Sequence, residues 1–115
     1  MTTFDDSVAI QTDTMNRMTN HYQRFLELPP EDKSVVLARS RRDRLDQDWR
    51  SFTQEDREMR RYEDYDPSHE YYTNSIYYDA QSIYDLARSK YTSYIEANTA
   101  PAPALQSQFN ENNSN

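Results

Sequence analysis

The chain contains no glycine and no cysteine. Average usage of about 7% would put roughly eight glycines in a chain of 115 residues. Glycine serves the φ > 0 positions of tight hairpins, helix C-caps and phosphate-cradling loops. Its absence excludes a P-loop, a G-x-G-x-x-G dinucleotide turn and a G-x-S-x-G nucleophile elbow. It also argues against a many-stranded antiparallel sheet, whose turns would fall to Asn and Asp alone. Without cysteine there is no disulfide, zinc–thiolate site, Fe–S cluster or thiol nucleophile. Small secreted domains ordinarily need such staples, so a cytoplasmic setting is predicted. The opening Met1-Thr2-Thr3-Phe4-Asp5-Asp6 lacks the basic and apolar regions of a secretory leader. Long apolar runs are missing too, and none approaches the roughly 20 residues of a membrane span.

What the chain has in quantity is charge and tyrosine. The net charge is −7, distributed as −4 over residues 1–32, +3 over 33–61 and −6 over 62–115. An acidic–basic–acidic order can complement itself within one fold or between two copies.

Apolar spacing predicts an all-α protein, a small bundle of three or four helices spanning residues 1–97. A first helix is expected over about Asp5–Leu28, with Val8, Met15, Met18, Tyr22 and Phe25 on one stripe. The polar run Gln11-Thr12-Asp13-Thr14 weakens its early part. Leu28-Pro29-Pro30 ends it, and Pro30 suits the first position of a second helix running to about Ser51. The stripe of that helix is Val35, Ala38, Leu45, Trp49 and Phe52. Thr53-Gln54-Glu55-Asp56 resembles a capping box that opens a third helix with Met59 and Tyr62. Ser68 is placed to cap a fourth, long helix reaching Ala97. Its seam is Ile76, Ala80, Ile83, Ala87 and Tyr94, interrupted by Lys90. Tyr77, Tyr84 and Tyr91 repeat every seven residues beside it, a heptad pattern of helix-on-helix packing. The aromatic arms around Asn74-Ser75 also resemble a hairpin, but the heptad running on from them favours helix. Residues 98–115, rich in Pro, Ala, Asn and Ser, read as a disordered tail with Leu105 and Phe109 as its large apolar residues.

Few residues suggest chemistry. His21 and His69 are the only histidines. His69 lies among Glu63, Asp64, Asp66 and Glu70, but the spacing matches no EF-hand or H-E-x-x-H motif, so an acidic turn is expected in place of a metal site. Ser68 beside His69 does not make a triad. No catalytic residue, cofactor or metal is assigned, and no enzyme is predicted. Arginines from Arg39 to Arg61 surround Trp49 in a way that could suit nucleic acid. Asp43, Asp46, Asp48, Glu55, Asp56 and Glu58 interleave with them, and pairs such as Arg39 with Asp43 or Asp46 with Arg42 or Arg50 explain the run better as a salt-bridged helix face. Direct nucleic-acid binding is not expected, given the acidic total.

Nine of the ten tyrosines follow Arg61. One seam cannot hold them all, and tyrosine is enriched in interface cores. The expected function is therefore binding of another protein through a Tyr-rich helix, with Tyr72, Tyr77, Tyr78, Tyr84, Tyr91 and Tyr94 as contact residues. An adaptor, an assembly factor or a virus-encoded accessory protein would fit, and homo-oligomerisation is included. The alternative is an acidic inhibitor that imitates nucleic acid and occupies the groove of a nucleic-acid-binding protein.

Overall fold

The structure, a computed structural model, describes residues 3–99. It is all-α, with no strand among the described residues. Three long helices form the bundle: α1 (Phe4–Glu27), α2 (Val35–Glu58) and α4 (Ile76–Asn98), with a four-residue α3 (Glu70–Thr73) before the last. Cross-helix partners set the directions. Ser7 meets Glu55 and Arg17 meets Asp48, so α1 and α2 are antiparallel. Phe52 meets Tyr77 and Arg42 meets Thr92, so α4 runs antiparallel to α2 and alongside α1. The expected tail lies outside the described residues beyond Thr99, along with Leu105 and Phe109.

The α1 helix starts at Phe4 and is not delayed by its polar run. Thr3 and Asp6 form a reciprocal capping box, which satisfies two of the free amides at the helix start. The Phe4 amide donates to both carboxylate oxygens of Asp64, at 2.9 and 3.1 Å, pinning the helix start to the 59–75 connection. The buried stripe of α1 includes Ser7, Gln11 and Thr14. Gln11 is tolerated there because its Nε2 donates to the Phe52 carbonyl at 2.8 Å and to the Tyr71 hydroxyl at 3.1 Å.

Two helix starts differ from expectation. Pro30 opens a 3-10 turn, Pro30–Asp32, and α2 begins later, at Val35, where Ser34 accepts from the Leu37 amide at 3.0 Å. Thr53-Gln54-Glu55-Asp56 caps nothing and lies inside α2, which runs on to Glu58. Its acids hold tertiary contacts instead: Glu55 accepts from Ser7 and Tyr62, and Asp56 from Tyr71. Met59 belongs to a second 3-10 turn, Met59–Arg61, so the expected third helix is absent. Two acids of α2 also pair across helices. Asp46 takes Arg88 of α4 at 3.0 Å, and Asp48 takes Arg17 of α1 at 3.1 Å.

The expected single helix from Ser68 is interrupted. Ser68 bonds to Asp66 in a turn, and His69 caps α3, its Nδ1 accepting from the Tyr71 amide at 3.0 Å. Asn74 closes α3, and Ser75 sits at φ 56°, ψ 42°, in the left-handed region. Asn-Ser is thus a turn, as its composition hinted, but one that joins two helices rather than two strands. A glycine would ordinarily occupy this position, and a side chain there costs roughly 1–2 kcal/mol. Ser75→Gly should therefore stabilise the protein by about 1 kcal/mol, less the extra entropy of an unfolded glycine. Urea unfolding reads this directly as a raised midpoint.

Within α4 the buried seam is Ala80, Ala87, Tyr91 and Ile95, while Ile76, Ile83 and Tyr94 of the expected seam are half-buried against the core. A straight α-helix drifts about 20° per heptad from a 3.5-residue repeat, and by the last two turns that drift brings Tyr91 inward. Both alanines are fully buried, and the stacked rings of Trp49 and Phe52 on α2 meet Tyr77 and Tyr84 of α4.

Candidate protein-docking cleft

The tyrosines divide into two groups. Tyr91 is 1% exposed, edge-on to Phe25 at 5.2 Å and to Tyr22 at 5.9 Å. It is a core residue and has no surface to offer a partner. Tyr94 is half-buried against Phe25, and Tyr84 lies flat on Trp49 at 5.0 Å with its hydroxyl donating to Asp46 Oδ1 at 2.8 Å. These three sit along α4 away from the break.

Tyr72, Tyr77 and Tyr78 converge instead on a cleft of about 400 Å³ beside Ser75, across from Arg57 of α2 and Arg60 of the 3-10 turn that follows it. The α3–α4 break makes this possible. A continuous helix would carry residues 72 and 78 past one another, whereas the left-handed Ser75 turns Tyr77 and Tyr78 back toward the end of α2. Tyr77 packs on Trp49 and Phe52, at 5.6 and 6.0 Å, and forms the floor. Tyr78 is 66% exposed and stands edge-on to Tyr77 at 5.6 Å. Tyr72 is wedged among Phe4, Tyr65 and Tyr71, and its hydroxyl is buried with no hydrogen-bond partner among the described residues.

Arg60 is held in place. It donates to the Asp56 carbonyl at 3.2 Å, lies 3.6 Å from the Asp56 carboxylate, and its guanidinium is 5.6 Å from the Tyr72 ring centroid. Asp56 in turn accepts from the buried Tyr71 hydroxyl at 2.8 Å. Burial raises the Tyr71 pKa far above the usual phenol value, the Gln11 hydrogen bond opposes this, and Asp56 adds to it. Burial raises Tyr72 likewise, with Arg60 opposing. The cleft therefore presents neutral phenols and guanidinium groups, with its one carboxylate already engaged.

The arginines were read from sequence only as a salt-bridged face, and their place beside the tyrosines was missed. The signals available were Asn74-Ser75 between aromatic arms and the i, i+3 spacing of Arg57 and Arg60. The other candidate groups are committed elsewhere. His69 caps α3 and lies edge-on to Phe4 at 5.3 Å, and the Ser68 hydroxyl is 2.7 Å from Asp66. Among the described residues, no three His, Asp or Glu side chains converge to hold a metal ion.

The buried phenols predict an alkaline limit to stability. Burial pushes Tyr91 up to about 12, with Arg41 opposing, against 10.0 in the unfolded chain. The folded state holds that proton more tightly, so the contribution is intact below pH 10 and is lost as pH rises from 10 towards about 12. Its size is on the order of 2–3 kcal/mol. Tyr91→Phe should flatten this fall, as measured by urea unfolding at stepped alkaline pH.

No protein-family model, curated protein or solved structure matches this chain.

Proposed function

We propose that this chain is a non-catalytic protein-binding module that docks its partner at the cleft between the end of α2 and the α3–α4 break. One observation carries the reading. Tyr78, 66% exposed, is an aromatic side chain its own bundle leaves uncovered, and it borders a concave site floored by Tyr77. Exposed aromatics at concave sites, flanked by arginine, have the composition of binding hot spots. Adaptor, assembly or accessory roles in the cytoplasm, and association with a second copy, belong to the same proposal. Among the described residues no helix is long and apolar enough to cross a membrane.

Affinity capture from the source cells, followed by titration of the recovered partner, tests the reading. Tyr78→Ala should weaken binding by more than about 1 kcal/mol, whereas Leu26→Ala, at an exposed apolar residue near the far end of the bundle, should leave it unchanged. Equal binding by both variants removes the site. The alternative, an acidic imitator of nucleic acid, predicts indifference to Tyr78 and a steep loss of binding with salt.

A further inference from the structure

The cross-helix ion pairs leave an imbalance on α2. Its acids Asp46 and Asp48 are taken by Arg88 and Arg17 of the neighbouring helices. Its arginines gain no acid in exchange from α1 or α4. Among the described residues Arg39, Arg50 and Arg57 make no ion pair, and all three are exposed. Their spacings of eleven and seven residues are near-whole numbers of helical turns, so the three share one face. The stripe ends in the cleft, where Arg57 stands with Arg60 and Tyr78.

We infer that the partner element recognised here is an extended acidic peptide segment. It would lie along the exposed face of α2 with an apolar or aromatic side chain seated in the cleft. The inference rests on the docking reading above and names the chemistry of its ligand. Guanidinium groups offer paired donors that fit carboxylates, and a group with no ion pair gives up no existing partner on binding. Arg50 and Arg57 are separated by about 10 Å along the helix, the rise of two turns. A polyproline II chain spans about the same distance in three residues and returns every third side chain to one face, so carboxylates three apart meet both arginines. The seated side chain covers the Tyr78 ring, which is 66% exposed. Nucleic acid suits the stripe less well, because it carries a charge on every nucleotide and must pass Asp43 and Asp46, whereas a peptide can place carboxylates at the arginines alone.

The test uses the full chain and a short labelled peptide of glutamates at every third position, ending in phenylalanine, read by fluorescence anisotropy. A glutamine version of the peptide and a single-stranded oligonucleotide serve as comparisons. The acidic peptide should bind, with the glutamine version about tenfold or more weaker. R50Q/R57Q should lose about as much, with an unchanged melting temperature, and Arg24→Gln on α1 should lose nothing. The charge-reversed R50E/R57E should prefer a lysine version of the peptide, a reversal that a merely structural role for these arginines would not produce. Equal binding of the glutamate and glutamine peptides would overturn the inference, and so would tighter binding of the oligonucleotide. A doubling of the solution mass on loss of free Tyr78 surface would likewise overturn it in favour of a second copy as occupant. If the natural partner is lost on Tyr78→Ala but ignores R50E/R57E, the acidic assignment fails and the docking reading stands. If Tyr78→Ala leaves the partner bound, it is the docking reading that fails.

Discussion

Phe52→Ala should lower the unfolding free energy by about 3–5 kcal/mol, the range for deleting a buried aromatic ring. The ring is fully enclosed, stacked on Trp49 at 5.6 Å and tilted against Tyr77 at 6.0 Å. It lies where α1, α2 and α4 meet, so neither helix neighbour can close the void without giving up contacts of its own. Its carbonyl also receives the Gln11 amide, which ties the polar stripe of α1 to α2. A domain of this size has a total stability of roughly 5–15 kcal/mol, so the variant should be close to half unfolded under mild denaturant. Urea unfolding followed by far-UV circular dichroism measures the loss. Because Phe52 backs Tyr77, the floor of the cleft should loosen in step with the fold. A cost below about 1 kcal/mol would mean that this end of the bundle is not packed as described.

The second large effect is expected at Asp48. This carboxylate is 5% exposed and is the one acid within a cationic group formed by Arg17, Arg44, Arg41 and His21. Arg17 reaches it through Nε and Nη2, with distances of 3.1–3.3 Å, and Arg44 lies 3.8 Å away. Asp48→Asn keeps the shape and removes the charge, leaving like charges to face one another across the α1–α2 seam. A loss of about 2–3 kcal/mol is expected, below the full cost of an orphaned buried charge because Arg17 and Arg44 are partly in water. Burial already lowers the His21 pKa, Arg41 and Arg44 lower it further, and Asp48 is the counterweight. In the variant that pKa should fall again, visible as an acid shift of the imidazole NMR titration. Since the folded pKa lies below the unfolded one, stability is present above about pH 6.5 and is lost as pH falls from there towards the folded pKa, more so in the variant. Millimolar sulfate or phosphate should recover part of the loss. An unchanged His21 titration would place Asp48 outside this cluster.

These two sites show which parts of the molecule were legible in the residue order. Phe52 and Trp49 were readable because large apolar side chains at helical spacing have one physical use. The Leu28-Pro29-Pro30 stop was readable for the same reason, since proline geometry is local. Gln11 and Thr14 were not, because a buried amide becomes acceptable only once Phe52 and Tyr71 arrive from distant parts of the chain. The acids after Thr53 looked like a cap since capping is a local pattern, yet their partners Ser7, Tyr62 and Tyr71 are tertiary. Tyr91 was assigned to the surface by extending a seven-residue repeat that a straight helix does not keep. The same extension hid the break at Ser75, where the chain uses a side-chain residue in a position glycine would normally take. That break is what separates Tyr72, Tyr77 and Tyr78, which share a cleft, from Tyr84, Tyr91 and Tyr94, which serve the bundle. It also means that Tyr84→Ala is a poor probe of binding, because it strips a stacking partner from Trp49 and a hydrogen bond from Asp46.

The most direct test of the docking surface is site-specific photo-crosslinking in the source cells, with benzoylphenylalanine placed at position 78 and, separately, at position 26. Crosslinking to one discrete protein from position 78 and not from position 26 is the expected result. Products equal at both positions, or none at 78 from a folded chain, would contradict the assignment of the cleft as the place where a partner docks.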